Sequence, residues 1–583
     1  MADDGSPRTS YPDLQERIAR LEMLLRVVTA MSTERDLDKL FETILFEAKN
    51  LCHAEGGTVY LYDGQDFLDF AIAMNDSMGF HYRRAQTAPA ERLMPLRLWE
   101  PSSKTPNHRN VATYAATEKR SVNIPNAYDE VGFDFSGTRK IDGETGYRSV
   151  SFLTIPVLDA QDRLLGVLQL INARDKETET IVPFSGADQE LVEMLAFQVG
   201  LALSNRLLRE AQERLLESFI KTIADGIDAK SAHTGAHCSR VPILTEMITR
   251  AVCEESEGPY RDFSLDTAQW YELRIAAWLH DCGKITTPVH VIDKATKLQT
   301  IHDRIHEVST RIDLLKREAE VRHLKRLIQG DVPEESQGRF DAEIVQLEDD
   351  RQFLEWANIG REHLDDESQE RIHRIAATTY LSGGQKRPLL SYEEVHNLTI
   401  PRGTLTDEER LTINGHMVET IRMLEALPFP SHLKQVPILA GGHHERMDGE
   451  GYPKGIYAGD LPVPARVMAI ADVFEALTAQ DRPYKEGMAL SKAMSIMGEM
   501  KRTNHLDPEL FDIFVRSGTY REYALRYLPE RLIDEVDEGA LLAVKPRPMD
   551  LPPKAVRDLR HRGFLPEYEH ADRMSWHAGD FDV

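Results

Sequence analysis

The stretch His443-His444-Glu445-Arg446-Met447-Asp448-Gly449-Glu450-Gly451-Tyr452-Pro453 constrains this chain more than any other. Two adjacent imidazoles reach one metal centre only if the backbone presents them at the end of an element. The Gly and Pro residues behind them demand a tight loop that neither a helix nor a strand supplies. A His-His pair alone is more often a surface pair than a ligand pair, so the remaining residues have to decide its role.

At 583 residues there is room for roughly two to four domains, each with its own core. A net charge of −26 argues against a nucleic-acid or anionic-membrane surface, both of which need a basic footprint. An anionic substrate then needs local compensation from metals or clustered Lys and Arg. Cys52, Cys238, Cys253 and Cys282 are scattered without CxxC spacing, which fits a reducing cytosol. Met1–Pro12 is polar and lacks an apolar signal core. No run of about 18 apolar residues is evident. A cytoplasmic chain with no membrane span is expected.

Residues 1–12 read as disordered. Leu14, Ile18, Leu21, Leu25 and Val28 then recur at helical spacing, and Asp36–Phe46 resumes it. Thr58–Tyr62 and Phe67–Ala73 read as strands around the turn Asp63-Gly64-Gln65-Asp66. A less regular, polar stretch extends to Gly146. Ser149–Leu158 and Leu164–Ala173 are two further strands, and Asp188–Asn205 closes the region as a helix. The order predicts an α+β domain over 13–205, an antiparallel sheet with helices. It resembles a GAF domain, a small-ligand sensor module, through Val122–Asp129, Gly146–Ser151 and Gly166–Asn172. Cyclic-nucleotide-binding members carry an Asn-Lys and Phe-x-x-x-Asp-Glu signature. Asn172, Phe184 and Asp188 fit it, but Ala173 replaces the Lys and Gln189 the Glu. The resemblance therefore implies an unknown small ligand, or a domain used only for dimerisation.

Glu190–Ala229 is one long helical run in which Met194, Leu201, Leu208 and Leu215 recur at every seventh position. Gln198, Asn205 and Gln212 make any coiled-coil seam weak. Residues 206–228 form a helical linker, either signalling or passive.

Beyond it the histidines become interpretable. His233 and His237 lie four apart, so on a helix they share a face. Ile275–Lys284 is an apolar helix end delivering His280, Asp281, Gly283 and Lys284, where a carboxylate can bridge two metals and a cation can face phosphate. Thr406-Asp407-Glu408-Glu409 reads as a helix cap ahead of His416, which sits beside Ile413, Ile421 and Leu424. Asp472 stands inside the apolar helix Ala465–Thr478, where a carboxylate is costly unless paired or metal-bound. Arg482-Pro483-Tyr484-Lys485 supplies two cations just after it.

In sum these residues resemble the HD-GYP family, a branch of the HD metal-dependent phosphohydrolases, over about 215–300 and 400–530. His280-Asp281-x-Gly283-Lys284, His416, His443–Pro453, Asp472 and Arg482-Pro483-Tyr484 carry the likeness. The resemblance implies an all-α domain over 229–544 in which His237, His280, Asp281, His416, His443, His444 and Asp472 ligate metals. Asp281 would bridge two ions, and Lys284, Arg482 and Lys485 would hold substrate phosphates. Asp281 and Lys284 are the catalytic candidates. The family's sites hold two or three ions, commonly iron or manganese. Members with three carry a Glu where this chain has His233, so two are expected, with His233 the candidate ligand of a third. Glu475 stands where many members have Asp. The implied reaction hydrolyses cyclic di-GMP to pGpG, GMP or both, in a homodimer. The rivals are HD chemistry on another cyclic dinucleotide or nucleotide, and a catalytically inactive nucleotide receptor. About 100 extra residues, 299–400, interrupt the pattern as a helical hairpin, a helix over Ser368–Tyr380 and a loop over Leu381–Pro388. The tail, 545–583, shows no clear chemistry.

Overall fold

A computed structural model describes residues 36–101, 104–230, 237–360, 363–479, 487–561 and 563–569. Residues 1–12 and the helical pattern at 14–28, expected from sequence, lie outside the described residues. The chain divides into two compact units, Met1–Leu215 and Leu216–Val583.

The first unit is built on an antiparallel sheet of order β3-β2-β1-β7-β6-β5, with β4 on β2 and β8 on β7. Its central strands are β1 (Ala54–Tyr62), β2 (Phe67–Asn75), β6 (Phe152–Leu158) and β7 (Leu164–Arg174). Both predicted turns are present. Asp63 accepts from the amides of Gln65 (2.8 Å) and Phe67 (3.0 Å), and Asp159 accepts from those of Gln161 and Arg163, each at 2.8 Å. The stretch read as irregular contains β3 (Phe80–Arg83), β4 (Leu96–Arg97), β5 (Val122–Ile124) and the helices Val111–Glu118 and Ser136–Thr145. Strands of two to four residues span too few positions to show a period of two. β8 (Ile181–Val182) is shorter still than a legible period.

The helices Leu37–Leu51 and Gly186–Lys230 cover one face of the sheet. Leu40, Phe41, Ile44 and Leu45 meet Val192, Leu195, Val199 and Leu203 over Val59, Ile72, Ile155 and Leu168. The second helix lies so close to β6 that a Cβ on Gly200 would stand 1.9 Å from the Leu158 carbonyl oxygen. By length and composition this helix could cross a membrane, where no such run is expected from the sequence. Its buried residues Val192, Leu195, Val199 and Leu203 belong to the core just described, and Ile220, Ala224 and Ile227 to a second one. Asn172, part of the cyclic-nucleotide signature, adopts φ 56° and is spent on structure. It donates to Glu55 (2.8 Å) and to the Tyr147 hydroxyl (2.7 Å) and accepts from the Val150 amide (2.7 Å).

The second unit is helical. One apolar cluster joins Val241, Leu244 and Ile248 to Val467, Ile470, Phe474, Met497 and Phe514. Another joins Ile220, Ala224 and Ile227 to Cys238, Leu273, Ala276, Leu424 and Met468. Neither contains a residue from 299–400. That insertion has its own core, with Val308, Ile312 and Leu315 of the helix Ile305–Ile328 against Leu347 and Leu354 of Pro333–Asn358. Towards the hairpin tip the apolar residues are bare, with Leu324 51% and Ile328 85% exposed. The expected loop over Leu381–Pro388 is instead a β-hairpin, β9 (Thr379–Ser382) on β10 (Gln385–Pro388), and the helix before it is Asp366–Ala376. Gly383 and Gly384 both have positive φ, which a two-residue primed turn needs and most residues resist. The tail forms two short helices, Lys554–Arg560 and Pro566–Glu569.

Candidate metal centre

Five segments deliver the predicted ligands. His237 opens the helix His237–Cys253. His280 and Asp281 follow the helix Thr267–Leu279, and His416 opens His416–Glu425. His443 and His444 follow Val436–Gly441, and Asp472 lies within Val463–Thr478. Gly283 brings two of these segments together. Its amide donates to Thr420 Oγ1 at 2.9 Å, and a Cβ there would lie 2.0 Å from the His416 carbonyl oxygen.

All seven predicted ligand residues converge, in two groups: Asp281, His416, His443 and His444, then His237, His280 and Asp472. Within each group the ligand atoms lie within 4.8 Å of one another. Asp281 divides its oxygens between them. Oδ1 lies 3.2 Å from His416 Nε2 and 4.0 Å from His443 Nε2. Oδ2 lies 3.3 Å from His237 Nε2 and 3.2 Å from His280 Nε2. Asp472 Oδ1 stands 3.2 Å from His237 Nε2.

Three of the imidazoles are oriented by one device. The Nδ1 of His280, His416 and His443 meets the carbonyl oxygen three residues earlier, of Ala277 (2.8 Å), Ile413 (2.5 Å) and Ala440 (2.7 Å). A carbonyl only accepts, so each Nδ1 donates, and the neutral ring keeps a lone pair on Nε2. The Nδ1 of His237 meets the Glu475 carboxylate, which Arg240 in turn holds through a 2.7 Å bond from its Nε. The longer Glu side chain therefore reaches the ligand ring directly. The sequence singles out Glu475 but not this contact, and nothing in the pattern marks Arg240, one turn beyond His237, as its partner.

The inward-facing atoms fit a metal. The Nε2 atoms of His237, His280, His416 and His443, with Asp281 Oδ1, are buried and have no hydrogen-bond partner among the described residues. Buried polar atoms are normally satisfied, and five converging on one place need a cation or ordered solvent to complete them. Electrostatics agree. Burial opposes ionisation of Asp281, but the Lys284 ammonium and the His280 ring outweigh it and hold the carboxyl well below the usual range. Lys284 Nζ donates to Asp281 Oδ2 at 2.5 Å. Burial and the neighbouring His280 push His443 down to about 4, and burial and His443 push His444 well below its ordinary value. Both rings are thus neutral near pH 7, the form that binds metal.

The Gly-Tyr-Pro loop lies behind these ligands. Glu445 accepts from the amides of Lys454 and Ile456, both at 2.8 Å, and burial pushes its carboxyl up to about 7. The Tyr452–Pro453 peptide is cis. The Tyr452 ring stacks on His444, centroids 4.8 Å apart and 17° from parallel. A cavity of about 630 Å³ opens here, lined among others by Asn414, His444, Arg446, Tyr452, Asp472 and His505. His505 carries no motif, and nothing in the sequence singled it out. His233, Arg482 and Lys485 lie outside the described residues.

Comparison with known proteins finds two matching families and several relatives. The chain matches the GAF domain family over residues 36–203 and the HD domain family over residues 345–510. It is 40% identical over 116 residues to a 3'3'-cGAMP-specific phosphodiesterase of Vibrio cholerae, covering 20% of this chain and 26% of that one. It is 39% identical over 124 residues to a cyclic di-GMP phosphodiesterase of Pseudomonas aeruginosa, covering 21% of this chain and 29% of that one. A cyclic di-GMP phosphodiesterase response regulator of Xanthomonas campestris matches at 40% over 85 residues, 15% of this chain and 22% of its own. The chain thus spans less than a third of the length of these relatives. Fold and matched families together make this a chain that carries a GAF domain and a helical HD domain.

Proposed function

We propose that the second unit is a metal-dependent phosphodiesterase acting on a cyclic dinucleotide, with cyclic di-GMP opened to pGpG and then GMP as the first reading. The observation that carries it is the Asp281 carboxylate, one oxygen turned to each histidine group. HD phosphohydrolases depend on metals, and His237, His280 and Asp472 would hold one ion while His416, His443 and His444 hold another, with Asp281 between them. Iron and manganese both suit such nitrogen and carboxylate ligands. His233 is the candidate ligand for a third ion. Bound there, the metals supply an activated water and a clamp on the scissile phosphate. The chain's own residues do the rest. Glu475 and the three carbonyl oxygens hold the imidazoles in register. Lys284 offsets the charge of Asp281 and, with Arg482 and Lys485, that of the phosphates. The cavity is large enough for more than a single phosphodiester, which favours a dinucleotide.

A second reading has a specific observation behind it. One of the relatives is named for 3'3'-cGAMP, so a mixed cyclic dinucleotide is the rival substrate. The first unit would sense a small ligand and regulate the second within a cytoplasmic homodimer. Metal analysis and turnover of cyclic di-GMP, 3'3'-cGAMP and linear dinucleotides, with the parent chain and Asp281→Ala, test the proposal. Cyclic di-GMP turnover and bound metal, both lost in Asp281→Ala, are expected. Metal without turnover of any nucleotide would mean a receptor. Full activity in Asp281→Ala would remove the bridging role.

A further inference from the structure

His444 differs from the other histidines of the centre. His280, His416 and His443 are each tied through Nδ1 to a carbonyl, and His237 to Glu475. Neither ring nitrogen of His444 makes a hydrogen bond among the described residues. Its ring is instead held by aromatic contacts, to His443 at 4.2 Å and, stacked at 17°, to Tyr452 at 4.8 Å. His416 meets the ring edge-on at 5.3 Å, and Tyr452 is the contact stacked on its face, so where the Tyr452 ring is kept bears directly on the orientation of this ligand.

The tail keeps it there. Tyr568, in the last described helix, is 5% exposed, and its ring centroid lies 6.0 Å from that of Tyr452. Its hydroxyl accepts from Asn414 Nδ2 at 3.2 Å, and Asn414 and Tyr452 both line the cavity. The segment is fastened to the Gly-Tyr-Pro loop, to the turn Ala458–Asp460 and to the helix His416–Glu425. The Leu565 amide donates to the Pro453 carbonyl (2.7 Å), and Arg557 Nη1 donates to Asp460 Oδ2 (2.9 Å). The Lys454 ammonium and the Arg422 guanidinium sit over the Phe564 ring, 5.6 Å and 5.7 Å from its centre. These contacts fix Tyr568 against a loop whose backbone Glu445 and the His444 carbonyl also hold, and add, among the described residues, the ring packing on the side of Tyr452 that faces Tyr568. The stretch lies beyond the matched HD region, which ends at residue 510.

We propose that Tyr568 is a positioning residue: packed against Tyr452 and bonded to Asn414, it holds Tyr452 on His444 and so aims that imidazole at its metal. The assignment rests on His444 being a metal ligand, as proposed above. A bare imidazole that must be ordered on binding costs affinity that a pre-oriented one does not.

The test uses the full chain with Tyr568→Ala and Tyr568→Phe. Histidine ring signals are read by NMR in metal-stripped protein, with His444→Gln to assign its resonance. Tyr568→Ala is expected to move the His444 signal, because the ring stacked on it shifts, and to leave those of His280 and His416 in place. Metal retained against a chelator should fall about 10–100-fold for the ion at His416, His443 and His444. Tyr568→Phe keeps the ring and loses only the Asn414 bond, so it should stay near the parent, and it serves as the folded control if Tyr568→Ala does not fold. An unmoved His444 signal in Tyr568→Ala overturns the positioning role, as does Tyr568→Phe behaving like a full loss of the ring. A parent chain that binds no metal, with a His444 signal that still responds to Tyr568→Ala, overturns the reading of the centre and spares the contact.

Discussion

Glu475 shows what a single methylene can do. Its carboxylate spans from the Arg240 guanidinium to His237 Nδ1 while Asp472, one turn earlier, faces the other nitrogen of the same ring. Burial works against a charged His237, but Glu475, Asp281 and Asp472 outweigh it and raise its pKa well above the ordinary value. Glu475→Gln keeps the shape and removes the charge; metal affinity or turnover should fall about 10–100-fold, with metal titration as the check. Lys297 is a second buried charge, 2% exposed, whose ammonium donates, among the described residues, to the Leu398 (2.9 Å) and Ile400 (2.7 Å) carbonyl oxygens. Burial depresses its pKa from 10.5 to about 8. Between those values the unfolded chain binds a proton that the fold does not, so this residue's contribution to stability rises with pH across the window and is lost as pH falls through about 8. Thermal unfolding of Lys297→Met and the parent should diverge from pH 8 towards pH 10, the parent gaining. Parallel curves would show that Lys297 is not shifted.

The ligand residues were legible as types in an order: a His-Asp pair at an apolar helix end, a His after a capped helix, a His-His pair before Gly and Pro, and an Asp in an apolar helix. Their aim was not. Whether a His Nδ1 meets the carbonyl three residues back depends on the backbone where a helix begins or ends, and no residue type encodes that by itself. The close approach at Gly283 was equally hidden, although it sets the distance between the elements bearing Asp281 and His416. A methyl group there would meet the Thr420 amide at 2.5 Å as well as the His416 carbonyl. Gly283→Ala should therefore push the His416–Glu425 helix outward, costing about 1–3 kcal/mol or more and lowering turnover out of proportion to the loss of stability. Denaturant unfolding beside steady-state kinetics separates the two effects. In the sheet, long strands with clear turns were legible, whereas β3, β4 and β5 are held by pairing to their neighbours rather than by their own pattern.

Across the whole chain, the insertion behaves as a module. Its apolar cluster is its own, and the two clusters beneath the metal centre take nothing from residues 299–400. Its ends also meet, since Lys297 bonds the Ile400 carbonyl. Replacing 299–400 with a short Gly-Ser linker should leave the second unit folded and its metal content unchanged, read by unfolding temperature and metal analysis; loss of metal would tie the insertion to the centre. The tail, by contrast, looked like a Pro-rich end without chemistry, and only its contacts with Tyr452, Pro453 and Asp460 reveal a place for it. Asp281 has a wider consequence. On the function proposed above, a single carboxylate shared by two sets of imidazoles would couple their occupancies, so that filling one group changes the metal affinity of the other.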